Sequence, residues 1–200
     1  MTDLHLELNK PAGIDLLQIQ KVQGRIAGGE IAGQMEWAFP DTGPSRYAIG
    51  LVLQGADVKE MSGDKNADIH GNLAASLAVE GNYNDPTSRQ GRGDVEVTGA
   101  DMYHIPLVLG LLQVTNLALP ITSPFSEATA RYSIQGQRVT FEQIELRAKE
   151  MIMQGTGHLD FDTKRVSMTF TTDNTTWPKL PIIGDLISSA RHELLQINVS

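Results

Sequence analysis

Cysteine is absent from all 200 residues, which removes any disulfide framework or thiolate metal site and leaves the redox compartment unspecified. Aromatic residues make up only 6% of the chain and charged residues only 20%, whereas glycine occurs 19 times. That balance favours sheet and turns over helix bundles. Lysine and arginine total 16 against 24 acids, a formal net charge of -8, and no basic face can be assembled for phosphate contacts. Nucleic acid is therefore excluded as a partner on charge grounds. No apolar run reaches the roughly 20 residues that a helix needs to span a bilayer, and no signal-like segment stands out.

What is present is alternation. Leu4, Leu6 and Leu8 alternate with His5, Glu7 and Asn9, and Met35, Trp37 and Phe39 with Gln34, Glu36 and Ala38. The cleanest stretch puts Tyr47, Ile49, Leu51 and Leu53 on one side of a strand. Leu73, Ala75, Leu77 and Val79 repeat the pattern, as do Val95 and Val97, and strands follow in succession from Ala128 to Phe170. Ile14 to Gln23 fits either period, and the strand is preferred. Turns are expected at Gly28-Gly29, Pro40 to Pro44, Asn82 to Gln90, Gln135 to Gln137 and Asp162 to Lys164. Val139 and Phe141 keep one parity while Ile144, Leu146 and Ala148 keep the other, which requires a bulge near Glu142-Gln143.

Two segments depart from the strand period. Ile105 to Val114 carries Leu107, Leu111 and Leu112 at helical spacing after Pro106, and no charge occurs between Asp101 and Glu127. Near the end, Ile182, Ile183, Leu186, Ile187 and Ala190 describe one face of an amphipathic helix. The expected architecture is mainly β: one curved antiparallel sheet, groove-like or partly closed as a barrel, capped by two short helices. All 200 residues are assigned to a single domain, read as a fragment of a longer protein because the chain stops within the alternation Leu195, Ile197, Val199.

No catalytic or metal constellation is expected. The five histidines, His5, His70, His104, His158 and His192, are scattered, without a ligand-spaced partner. Asp160 with Asp162 and Asp94 with Glu96 are read as turn and solvated-face residues. Gly155-x-Gly157 lacks the third glycine and the helix of a dinucleotide site, so it is read as a strand that has no use for side chains there. Arg92-Gly93-Asp94 is placed at a strand start and given no adhesive meaning.

The order GRGDVEVTG (91–99), IPLVLGLL (105–112) and the strand Ala128 to Ile134 resembles the C-terminal region of AsmA-like proteins. Further matches are IAGGEIAG (26–33), YAIGLVLQGADV (47–58), MQGTGHLD (153–160) and 180–200, so the resemblance covers nearly the whole chain. It implies a non-catalytic, cofactor-free domain of a bacterial envelope protein of the AsmA and TamB kind. Such a protein would be periplasmic, anchored in the inner membrane outside this chain, and would serve phospholipid transport and outer-membrane biogenesis. On that expectation Leu51, Leu53, Leu73, Leu77, Val95 and Val97 line a groove for a phospholipid or other acyl-chain lipid, and Leu107, Leu111, Leu112, Ile183, Leu186 and Ile187 belong to the capping helices. A core filled by those helices competes with the groove, because a dry face normally finds protein to cover it. The alternative function is a periplasmic scaffold that joins envelope proteins by adding a strand to an open sheet edge.

Overall fold

A computed structural model describes residues 2–10, 15–62, 70–99, 125–148 and 152–172. They form one antiparallel sheet of ten strands laid down in sequence order. These are β1 (Thr2–Asn9), β2 (Leu16–Ile26), β3 (Gly29–Ala38), β4 (Arg46–Asp57), β5 (Asn72–Asn82), β6 (Asp85–Thr98), β7 (Phe125–Gln135), β8 (Arg138–Ala148), β9 (Ile152–Asp160) and β10 (Arg165–Thr172). One short helix, α1 (Val58–Ser62), follows β4. The sheet is not closed into a barrel, and a curved path is compatible with it. The mainly β, antiparallel fold class expected from the alternation is the one observed. Both expected helices, over Ile105 to Val114 and Ile182 to Ala190, lie outside the described residues.

Each strand pairs with its sequence neighbours, and several of the connections are short turns. The β2–β3 connection is Ala27-Gly28, one residue earlier than expected. Both residues have positive φ, 49° and 76°, the sign a tight hairpin needs to match strand twist. Gly29 is instead the first residue of β3, where a Cβ would lie 2.6 Å from the Gln54 carbonyl oxygen of β4. Its small size serves close approach rather than turning.

Residues 82–90 correct the sequence reading more substantially. The turn is only Tyr83-Asn84, and β6 begins at Asp85. Polar side chains here replace ladder bonds: Asp85 Oδ1 accepts from Thr87 N at 3.0 Å, and Ser88 Oγ accepts from Asn82 N at 2.7 Å. Register is interrupted between Glu80 and Asn82, which leaves Pro86 inside an excursion where its missing donor costs nothing. Arg92-Gly93-Asp94 consequently lies well inside a 14-residue strand rather than at a strand start.

Bulges keep the apolar side chains on one side. Tyr132 faces Phe141 and Arg131 faces Gln143, so Glu142 has no opposite residue, as the parity change predicts. A register shift between Ile19 and Val22 does the same in β2 and explains why that segment also fitted a helical period.

Candidate functional site

The strand registers can be followed straight across the sheet. One row runs Leu6, Val22, Gly33, Leu51, Leu77, Gly93, Tyr132, Phe141, Gly157, Met168, one residue from each of the ten strands. The hydroxyl of Tyr132 is its single polar side-chain group, and it donates to the Ser76 carbonyl at 3.0 Å. The adjoining rows contain Leu53, Ala75 and Val95, then Ala56, Leu73 and Val97. The structure thus brings Leu51, Leu53, Leu73, Leu77, Val95 and Val97 together in three neighbouring rows of one apolar face. All six are half-buried. Leu107, Leu111, Leu112, Ile183, Leu186 and Ile187 lie outside the described residues.

Glycines sink under their neighbours' side chains. A Cβ on Gly155 would meet Phe170 Cδ1 at 2.5 Å, and one on Gly157 would meet Met168 Cγ at 2.6 Å. These positions are empty of side chains because cross-strand partners fold over them.

Burial is uneven along the strands. At the end of the sheet where β4, β6 and β8 finish, Phe125, Leu146, Met153 and Ala56 are almost wholly buried, and Phe125, Ile144, Leu146, Ala148 and Met153 form the core cluster. At the opposite end, which carries the turns 39–45, 83–84, 136–137 and 161–164, Phe39 is 45% exposed, and Tyr83 and Phe161 are each 53% exposed. Val139 is the buried exception there, set between Ile134 and Leu159 in the ladder. Trp37 stacks on Phe39 with ring centroids 5.9 Å apart and lies 5.2 Å from Tyr83 at a tilt. This aromatic group was not foreseen as a unit. Trp37 and Phe39 read as strand alternation and Tyr83 as part of a polar turn, and only an aromatic inside a turn dipeptide hinted otherwise.

The reverse face is polar and ordered by ion pairs. Asp94 accepts from Arg131 Nε at 3.3 Å and from Ser76 Oγ at 3.4 Å. Arg147 joins Glu127, at 3.4 Å, to the buried Glu145. Arg138 grips Asp160 in a fork at 2.6 and 3.2 Å, and that hydrogen bonding holds the Asp160 carboxyl below the ordinary carboxylate value. The same partner pushes Arg138 up. Burial, followed by the negative charge of Asp94, raises the Tyr132 hydroxyl. Hydrogen bonds from the Thr87 side chain and backbone lower Asp85. Of the four carboxylates read as turn and solvated-face residues, two are engaged with arginine on this face: Asp94 with Arg131 and Asp160 with Arg138. Compared with known protein families, curated proteins and solved structures, the chain matches none.

Among the described residues that geometry offers a continuous apolar surface. Among the described residues no three histidines or carboxylates gather where they could hold a metal ion. His158 lies 3.7 Å from Asp160 and His5 3.7 Å from Glu7, both at accessible positions. Gln143 Nε2, Gln154 Oε1 and Trp37 Nε1 are buried without a hydrogen-bond partner among the described residues. Two of these three atoms belong to β8 and β9 of the polar face.

Proposed function

We propose that this chain is a non-catalytic lipid-handling domain of an AsmA-like bacterial envelope protein, working in the periplasm within a protein anchored in the inner membrane. Its apolar face carries the acyl chains of a phospholipid, and the activity served is phospholipid movement towards the outer membrane. One observation carries the reading: a row of apolar residues and glycines crosses all ten strands, and Leu51 and Leu77 within it, with Leu53, Leu73, Val95 and Val97 in the rows beside it, are only half-buried. A protein that used this face solely as core would bury it more fully, since each Å² of apolar area left in water forgoes about 25 cal/mol. The reading assigns no residue a catalytic role.

The test is lipid capture. Purified protein incubated with liposomes and re-isolated should carry phospholipid by native mass spectrometry. A photoactivatable acyl probe should label peptides containing Leu51–Leu53, Leu73–Leu77 and Val95–Val97. Protein that never retains phospholipid and is never labelled on these strands overturns the proposal.

A second reading, a scaffold that pairs by sheet edges, draws on β10. Val166 to Thr172 contains no charge, proline or glycine, the composition of a strand unprotected against further pairing. Concentration-dependent end-to-end association in solution scattering would favour it over lipid carriage.

A further inference from the structure

Seven large apolar side chains stand exposed among the described residues, and five of them, Leu8, Phe39, Tyr83, Phe161 and Val166, lie at the aromatic end of the sheet. Leu6 sits further along β1, and Met61 is on α1 at the opposite end. Turn positions ordinarily go to Gly, Pro, Asn, Asp and Ser, yet Tyr83 and Phe161 occupy turns and are each 53% exposed. Both rings thus remain in contact with water, an unfavourable placement for large apolar groups.

The rings are also joined to the apolar face. Phe39 and Tyr83 both touch Trp37, and Trp37 is paired with Leu17 on β2 and Tyr47 on β4. The next pairs inward are Ile19 with Met35 and Met35 with Ile49, so no polar side chain interrupts the path from ring to face. Charged residues of both signs lie close in sequence to these turns, including Asp41, Arg46, Asp162, Lys164 and Arg165. Aromatic rings among charges match the layered chemistry of a bilayer interface, where Trp and Tyr settle at headgroup level.

We propose that this end of the sheet docks on a phospholipid bilayer, inserting Phe39, Tyr83 and Phe161 among the headgroups so that the apolar face opens onto the membrane. The proposal rests on the lipid-carrying reading and adds where lipid is exchanged. A lipid surface fits better than a protein partner because the exposed apolar side chains are spread along this end of the sheet, from Leu8 on β1 through the Phe39 and Tyr83 pair to Phe161 and Val166 beside β10. Phe39 and Phe161 are six strands apart, roughly 30 Å along the sheet, whereas protein partners recognise a compact patch with a water-free centre. A bilayer accepts each ring separately.

The experiment uses the full chain with Trp177→Phe, which leaves Trp37 as the sole tryptophan of two. On adding vesicles of phosphatidylcholine and phosphatidylglycerol, Trp37 emission should shift to the blue and be quenched by lipids brominated near the headgroup. Phe39→Ser with Tyr83→Ser should lower vesicle partition about tenfold, the scale set by losing part of two buried rings. Phe161→Ser alone should lower it less, and Met61→Ser, at the far end, should leave it unchanged. Far-ultraviolet circular dichroism checks that each variant is folded. A parallel arm measures uptake of a fluorescent fatty acid below its micelle concentration, which the ring variants should retain. If the fatty acid is taken up but vesicles are not bound, or are bound equally by the ring variants, docking at this end is overturned and the lipid reading stands. If vesicles are bound through these rings but the fatty acid is never taken up, the lipid-carrying reading fails instead.

Discussion

Tyr132 shows how one side chain ties the two faces together. Its ring lies on the apolar row opposite Gly93, and its hydroxyl reaches across that glycine to donate to the Ser76 carbonyl at 3.0 Å. Burial and the nearby Asp94 hold the hydroxyl above its ordinary value of 10.0, so the folded chain favours the neutral form. The contribution to stability is complete below about pH 10 and is lost as pH rises through the higher folded-state value. Denaturant unfolding followed against pH should show a fall in stability on the alkaline side that Tyr132→Phe reduces. The same variant should cost about 1 kcal/mol at neutral pH through the lost hydrogen bond. A Tyr132→Phe protein with an unaltered alkaline limb would remove Tyr132 from this account.

At the scale of the strand, the sequence is most informative where glycine leaves a position without a side chain. Gly155 and Gly157 gave no motif, and their spacing suggested only a strand without side chains. The register supplies the cause, since Phe170 and Met168 of β10 lie over them. Gly155→Val would place branched carbon where Phe170 Cδ1 stands 2.5 Å from an ideal Cβ, and should destabilise the protein by about 1–3 kcal/mol in chemical unfolding. An unchanged midpoint would show that Phe170 leaves the face at little cost. The bulge at Glu142 was legible for a related reason, because period-2 parity cannot change without an extra residue. The turn at Tyr83-Asn84 was not, since Thr, Ser, Asp and Pro after it have loop composition, and nothing local reveals that their side chains substitute for ladder bonds.

For the whole molecule, neighbour pairing makes the sheet nearly one-dimensional: among the described residues each strand pairs with those beside it in sequence order, the edge strands β1 and β10 with one each. Stability should then vary along the order, as in stacked repeats. β1 is an edge strand whose Leu8 is 64% exposed, whereas β7 to β9 contain Phe125, Leu146 and Met153 with at most 1% exposure. Amide hydrogen exchange should be at least about 100-fold faster in β1 than in β8, and uniform protection would imply a single cooperative unit instead. Alternation alone determined the strand type, most strand positions and the side on which Leu51, Leu53, Leu73, Leu77, Val95 and Val97 stand, because side-chain direction in an extended chain repeats every two residues. Tertiary structure alone decided that the registers align these faces across ten strands, that the face is buried at one end and that aromatic rings gather at the other. Those facts depend on which residues meet across strands, and pairing between strands is not encoded in the period of any one of them.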